Sequence, residues 1–136
     1  MGKKSMSFQE VIDSVRQFHD AFKINNESEP TVDVGEKVIK LRYDLMHEEN
    51  EEYLEAAKSG DLVEVADALG DMLYILCGTM LAHGMQNKIE EIFQEIQRSN
   101  MSKLDVDGKP IYREDGKVLK SNQYFKPNIL AILKAN

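Results

Sequence analysis

The chain has 136 residues, 42% of them hydrophobic and 30% charged, with a formal net charge of −7. This length suits one domain burying about two-thirds of its unfolded surface. The acidic balance disfavours a basic nucleic-acid-binding face, but not an anionic substrate that arrives with a metal ion. With three prolines and eight glycines, the composition also argues against disorder and against an all-β chain.

A single domain over 1–136 is therefore expected, with residues 1–6 disordered. Cys77 is the lone cysteine, so no intramolecular disulfide can form and the cytoplasm is the expected compartment. Met1 to Met6 is short and contains lysines with no apolar segment behind it, so a signal peptide is not expected. Met72 to Met85 is short of the ~20 residues a bilayer crossing needs, and neither membrane nor nucleic acid is expected as a partner.

Ser7-Phe8-Gln9-Glu10 has the spacing of a capping box, and Phe8, Val11, Ile12, Val15, Phe18 and Phe22 form an apolar stripe behind it. A first helix is predicted from there to about Lys23. Asn25 to Thr31 is polar and contains Pro30, hence a loop. Asp33-Val34-Gly35-Glu36 repeats the capping pattern for a second helix running to about Lys58.

Ser59-Gly60-Asp61 is the next turn, with Gly60 suited to a left-handed C-terminal position and Asp61 to the following N-cap. It predicts an antiparallel helical hairpin. The third helix, about Leu62 to His83, is apolar on nearly all sides and should be central, closed by Gly84. A fourth, about Asn87 to Ser99, carries Ile89, Ile92, Phe93 and Ile96 at helical spacing. Asp115-Gly116 signals a small β-hairpin within an extension over 104–126, and Asn128 to Lys134 a last short helix. The fold class is all-α, a four- to five-helix antiparallel bundle.

Two carboxylate clusters fall on the predicted hairpin. On the second helix, Glu48-Glu49-x-x-Glu52 belongs to an acidic run whose ordinary reading is a solvated face, but nothing answers Glu52 at i+4. On the third helix, Asp67 and Asp71 interrupt the most apolar stretch of the chain, where an unpaired buried carboxylate costs several kcal/mol. A divalent cation would offset repulsion across the whole group. Glu64 has a rival role, because Asp61-x-x-Glu64 also has capping-box spacing.

No histidine has a glutamate three residues before it, as a four-helix di-iron site would require. The oxygen-only set favours magnesium or manganese. From the end of the fourth helix onward, Arg98, Asn100, Lys103, Arg113, Lys117 and Lys120 supply donors suited to phosphates or a base, interleaved with acidic residues as an ordinary charged loop would be.

Taken together, Glu48-Glu49-Asn50-Glu51-Glu52 and Glu64-Val65-Ala66-Asp67 resemble the Glu-Glu-x-x-Glu and Glu-x-x-Asp signature of the all-α nucleoside triphosphate pyrophosphohydrolases. That superfamily holds MazG-like proteins, dimeric dUTPases and phosphoribosyl-ATP pyrophosphohydrolase. Similarity is closest to the phosphoribosyl-ATP branch, through Glu55 to Asp61, Asp71-Met-Leu-Tyr74 and Arg98 to Lys103. If Asp71 is matched to that branch's motif aspartate, Ala68 occupies the position of its glutamate. Glu64 with Asp67, or Asp67 with Asp71, then form rival versions of the second half-site.

The resemblance implies magnesium-dependent cleavage between α- and β-phosphates, giving a monophosphate and pyrophosphate. It implies metal ligands among Glu49, Glu52, Glu64, Asp67 and Asp71, with Glu48 and Glu49 as candidate catalytic carboxylates, and assembly as a homodimer or homotetramer. Met72, Met80 and Met85 are expected at exposed apolar positions. A house-cleaning enzyme acting on a (d)NTP is the leading expectation. The alternatives are phosphoribosyl-ATP hydrolysis in histidine biosynthesis, against which the long tail counts, and a non-catalytic helical interaction module.

Overall fold

The computed structural model describes residues 4–135. Of the disorder expected for residues 1–6, the part on 1–3 lies outside the described residues. Among the described residues five helices follow one another: α1 (Phe8–Ala21), α2 (Glu36–Ser59), α3 (Leu62–Ala82), α4 (Ile89–Met101) and α5 (Ile129–Lys134). The all-α class is borne out. The chain divides into two compact units, Met1–Gln86 and Asn87–Asn136.

In the first unit, α1 starts at the predicted capping box: Ser7 Oγ accepts from the Glu10 N–H while Glu10 accepts from the Ser7 N–H. The α2 start differs from expectation. Its N-cap is Gly35, at φ 89°, with no side-chain cap, because the Asp33 N–H donates instead to Thr31 Oγ1 and the chain turns through a left-handed glycine. At the other end Gly60 takes φ 73°, and Asp61 Oδ1 accepts from the Glu64 N–H at 3.1 Å. These two residues reverse the chain into the α2–α3 hairpin.

α3 packs against both α1 and α2, so it is central in its unit. The core is built from Ile12, Val15, Ala56, Ala68, Cys77, Leu81 and Ala82, with His19 and Arg42 buried among them. By length and composition the whole of Leu62–Ala82 passes as a membrane span, longer than the Met72–Met85 run considered from sequence. Its N-terminal half instead presents carboxylates toward α2.

Burial on α3 is less complete than its apolar sequence predicts. Leu69, Leu73, Tyr74 and Leu76 are exposed, whereas Met72, Met80 and Met85, expected outside, are half-buried. The loop after α1 is fastened to the end of α3: Glu27 N–H donates to Leu81 O at 3.0 Å and Thr31 N–H to His83 O at 2.9 Å. Gly84 passes so close to the Glu29 carbonyl that no Cβ would fit.

In the second unit α4 packs with α5. The expected hairpin is reduced to one antiparallel bridge, Tyr112 to Val118, around a turn with Gly116 at φ 87°. With so little pairing the segment remains a loop.

Candidate active site

The α2–α3 seam brings the two carboxylate clusters together. Arg42 lies against Gly78, and Glu49 feels the charge of Asp71; both pairs are equally distant from Gly60 along the chain. This is the register of a tight antiparallel hairpin. Glu49 stands two helical turns beyond Arg42, so both point into the seam.

Glu49 is the electrostatic centre. Burial, hydrogen bonding with Glu52, and the charges of Glu52, Asp71 and Glu48 push its carboxyl up to about 7. Although the residue is only half-buried, its Oε2 is cut off from solvent with no hydrogen-bond partner among the described residues. The sequence places the buried carboxylate cost on Asp67 and Asp71; the structure moves it to Glu49, since Asp67 is exposed and Asp71 half-buried. Asp71 lies in the part of α3 nearer the core, where α1 also packs, and Asp67 lies one turn closer to the open end.

That open end is a cleft of about 740 Å³ lined by Glu52, Glu55, Ala56, Lys58, Ser59, Glu64, Asp67 and Ala68. Its floor is formed by buried alanines, Ala56 and Ala68. The missing side chain at Ala68 is therefore space in the cleft. Asp61 caps α3 without a reciprocal bond from Glu64, whose side chain lines the cleft instead.

Glu52 belongs to both levels of the seam. It acts on Glu49 beside Asp71 and also lines the cleft with Glu64 and Asp67. The rival half-sites are thus successive levels of one carboxylate array, hinged on Glu52. Among the described residues the ion pairs are Lys40–Asp44, Arg98–Glu95 and Arg113–Asp115. None of them neutralises the array.

A divalent cation fits this arrangement. A carboxylate oxygen shut off from water, without a donor and beside three other carboxylates, lacks positive charge rather than a proton acceptor, and all the available donors are hard oxygens. Among the described residues no three acidic, histidine or cysteine side chains are already gathered as a ligand set. Binding would have to draw flexible glutamates of α2 inward.

The basic residues singled out from sequence belong to the second unit. Arg98 is held by Glu95 at 2.9 Å and lies 4.4 Å from the Phe125 ring centroid. The same contact, with the Asn128 N–H, holds Glu95 below the usual carboxylate range. Arg113 pairs with Asp115 at 2.9 Å, and Lys120 sits over Tyr124. Ser99 Oγ donates to Phe125 O, Ser102 Oγ accepts from the Phe125 N–H, and Ser121 Oγ donates to Leu104 O. The Arg98 to Lys103 segment therefore clasps the C-terminal tail. Asn100, Lys103 and Lys117 make no side-chain hydrogen bond or ion pair among the described residues.

The sequence reading missed Arg42. It is 6% exposed, yet has no carboxylate partner among the described residues. The available signal was its position on the stripe Val38, Arg42, Leu45, Glu49 at helical spacing. His19 is a buried structural histidine whose Nδ1 lies 2.6 Å from Asn26 Oδ1.

The sequence profile of phosphoribosyl-ATP pyrophosphohydrolase matches residues 15–100. The chain belongs to that family. Its members are pyrophosphohydrolases, hydrolases acting on acid anhydrides of nucleotide-like substrates. The match contains α2, α3 and both carboxylate clusters, so family membership and the carboxylate array fall on the same hairpin. Lys103, Arg113, Lys117 and Lys120 lie beyond it. Among curated proteins no relative matches the chain.

Proposed function

We propose that the protein is a magnesium-dependent nucleotide pyrophosphohydrolase that cleaves a (d)NTP between the α- and β-phosphates and clears unwanted nucleotides from the cytoplasmic pool. The observation that carries this reading is the orphaned, charge-repelled Glu49 at the centre of a carboxylate array, on the hairpin the family profile matches. Glu49, Glu52 and Asp71 would hold the metal ion, with Asp67 and Glu64 as further ligands toward the cleft. Manganese satisfies the same oxygen donors.

A bound divalent ion supplies a positive centre for the triphosphate oxygens and for charge developing on the leaving pyrophosphate. Glu48, exposed on the edge of the array, is the carboxylate left to orient a water and accept its proton. The open cleft gives the nucleotide room beside the ligands. Asn100 on α4, and Lys103 and Lys117 beyond it, have side chains uncommitted among the described residues, and we assign them to phosphate or base binding ahead of Arg98, Arg113 and Lys120.

Phosphoribosyl-ATP is the second reading, favoured by the family profile itself. Both substrates release pyrophosphate, so one assay separates them: incubation with magnesium and a panel of nucleotides that includes phosphoribosyl-ATP, measuring pyrophosphate and orthophosphate. Pyrophosphate from (d)NTPs is expected. Orthophosphate alone would sink the proposed bond cleavage, pyrophosphate from phosphoribosyl-ATP alone would move the enzyme to histidine biosynthesis, and no turnover would favour a non-catalytic helical module.

We further propose a homodimer or homotetramer built on the exposed side of α3. Leu69 is 52% and Leu73 45% exposed, next to an apolar groove of about 400 Å³ lined by Met46, Met72, Leu73 and Leu76. Contiguous exposed apolar surface of this kind marks an interface. Light scattering coupled to size-exclusion chromatography should give a multiple of the 15.5 kDa chain mass, and Leu73→Glu should yield the monomer. A monomeric parent protein would refute the assembly.

A further inference from the structure

Arg42 is a buried cation that neither cluster of carboxylates touches, and its surroundings are built for it. Its Nε donates to Thr79 Oγ1 at 3.0 Å and its Nη2 to the Ile75 carbonyl at 2.9 Å, both across the seam on α3. Thr79 Oγ1 itself donates to Ile75 O at 2.9 Å, which aims its lone pairs at the guanidinium. Gly78 makes the space: a Cβ there would fall 2.5 Å from Arg42 Nη2 and 2.9 Å from His19 Nε2.

His19 completes the enclosure from α1. Asn26 Nδ2 donates to Asp20 Oδ1 at 3.4 Å, which leaves Asn26 Oδ1 as the acceptor facing His19. His19 Nδ1 therefore donates to Asn26, and its Nε2 lies on the side occupied by Arg42. Burial pulls the guanidinium below its usual range, because no counter-charge compensates the loss of water. Retaining a charged side chain at such a place is unfavourable for stability alone, since an apolar residue of similar volume would fill it at no desolvation cost.

Its position relative to the carboxylates supplies a reason. Arg42 and Glu49 are seven residues apart on α2, about 10.5 Å at 1.5 Å per residue, and Ile75 is one turn beyond Asp71 on α3. From Glu49 and Asp71 toward the cleft the seam carries like charges that push α2 and α3 apart. Arg42 bonds to two groups of α3 at once, on the core side of those charges. A planar, two-point tie resists both separation and sliding of the helices, which a hydrophobic contact does not.

We propose that Arg42 is a positioning residue that locks the register of α2 against α3, so that Glu49 and Glu52 stay opposite Asp71, where a divalent cation can draw them together. The proposal rests on the metal-binding reading of the seam. Removing the tie lets the repelling carboxylates relax apart. The metal must then re-close the hairpin on binding, and its apparent affinity falls.

The test uses manganese binding to the full-length protein without nucleotide, followed by electron paramagnetic resonance or calorimetry, with far-UV circular dichroism to verify helix content. Arg42→Met removes every donor, Arg42→Lys retains charge but not the fork, and Thr79→Val removes one acceptor with the arginine in place. We expect dissociation constants raised about tenfold for Arg42→Met and Arg42→Lys and about threefold for Thr79→Val, at unchanged helix content. Should Arg42→Met fail to fold, Arg42→Lys and Thr79→Val decide the matter.

Wild-type affinity in folded variants, with only the melting temperature lowered, would overturn the positioning role and leave the metal site standing. No manganese binding by the wild-type protein would overturn the metal site, and the positioning role with it.

Discussion

Glu52→Gln and Asp71→Asn are each expected to lower kcat/KM at least about 100-fold, a loss of ~2.7 kcal/mol of transition-state stabilisation. Both substitutions preserve shape and remove one negative charge from the array around Glu49. A neutral amide oxygen is a poorer ligand for a hard divalent ion than a carboxylate, so metal affinity and rate fall together. Asp67→Asn, on the cleft level and exposed, should cost about tenfold.

The same variants should be more stable than the parent when metal is chelated, because each relieves repulsion that the apo protein does not offset. This opposite movement of stability and rate separates a working carboxylate from a structural one. Kinetics at several magnesium concentrations and thermal melts in EDTA provide the two measurements. Full activity in Asp71→Asn with loss in Asp67→Asn would transfer the second half-site to Glu64 and Asp67. Indifference to all three changes would remove the array from the chemistry.

Much of this architecture is legible in the sequence because its determinants are local. A capping box at Ser7 and Glu10, a left-handed Gly60 and an Asp61 cap need only a few neighbouring residues, and those residues place α1 and the α2–α3 hairpin. Once the hairpin is placed, helical periodicity brings the carboxylates to a common seam. The α2 start departs from the local pattern for a related reason: Asp33 has the right spacing, but the Thr31 hydroxyl takes its backbone N–H and Gly35 takes the cap.

What the sequence does not reveal depends on distant partners. Arg42 reads as surface charge until Gly78 and Thr79 are brought beside it, since only the fold shows that position 78 lacks a Cβ in order to admit a guanidinium. The donors in Arg98 to Lys103 look free for a ligand in one dimension. In three, Glu95 and the ring and carbonyl of Phe125 have first claim on Arg98 and Ser99. An inventory of hydrogen-bonding groups cannot distinguish binding a substrate from binding the chain's own loop.

The metal-free protein should lose stability as pH rises from about 4.5 to about 7, the reverse of ordinary acid denaturation. The Glu49 carboxyl is raised from 4.5 to about 7 by burial, by Glu52, and by the charges of Asp71 and Glu48. Across that interval the folded protein holds a proton that the unfolded chain has released, so the contribution is full below 4.5, declines with rising pH and is gone above about 7. Because Glu49 is only half-buried, solvent screening reduces the effect to on the order of 1–2 kcal/mol. Magnesium flattens the slope. A cation must displace the same proton, so its affinity should fall up to about tenfold per pH unit below 7 and level off above it. Thermal melts from pH 4.5 to 8, in EDTA and in magnesium, should therefore diverge with rising pH, with the largest metal-induced stabilisation on the alkaline side. Glu49→Gln should flatten the EDTA curve and abolish the divergence. If that variant retains the parent's slope in EDTA, the proton is held elsewhere and Glu49 is not the centre of the array.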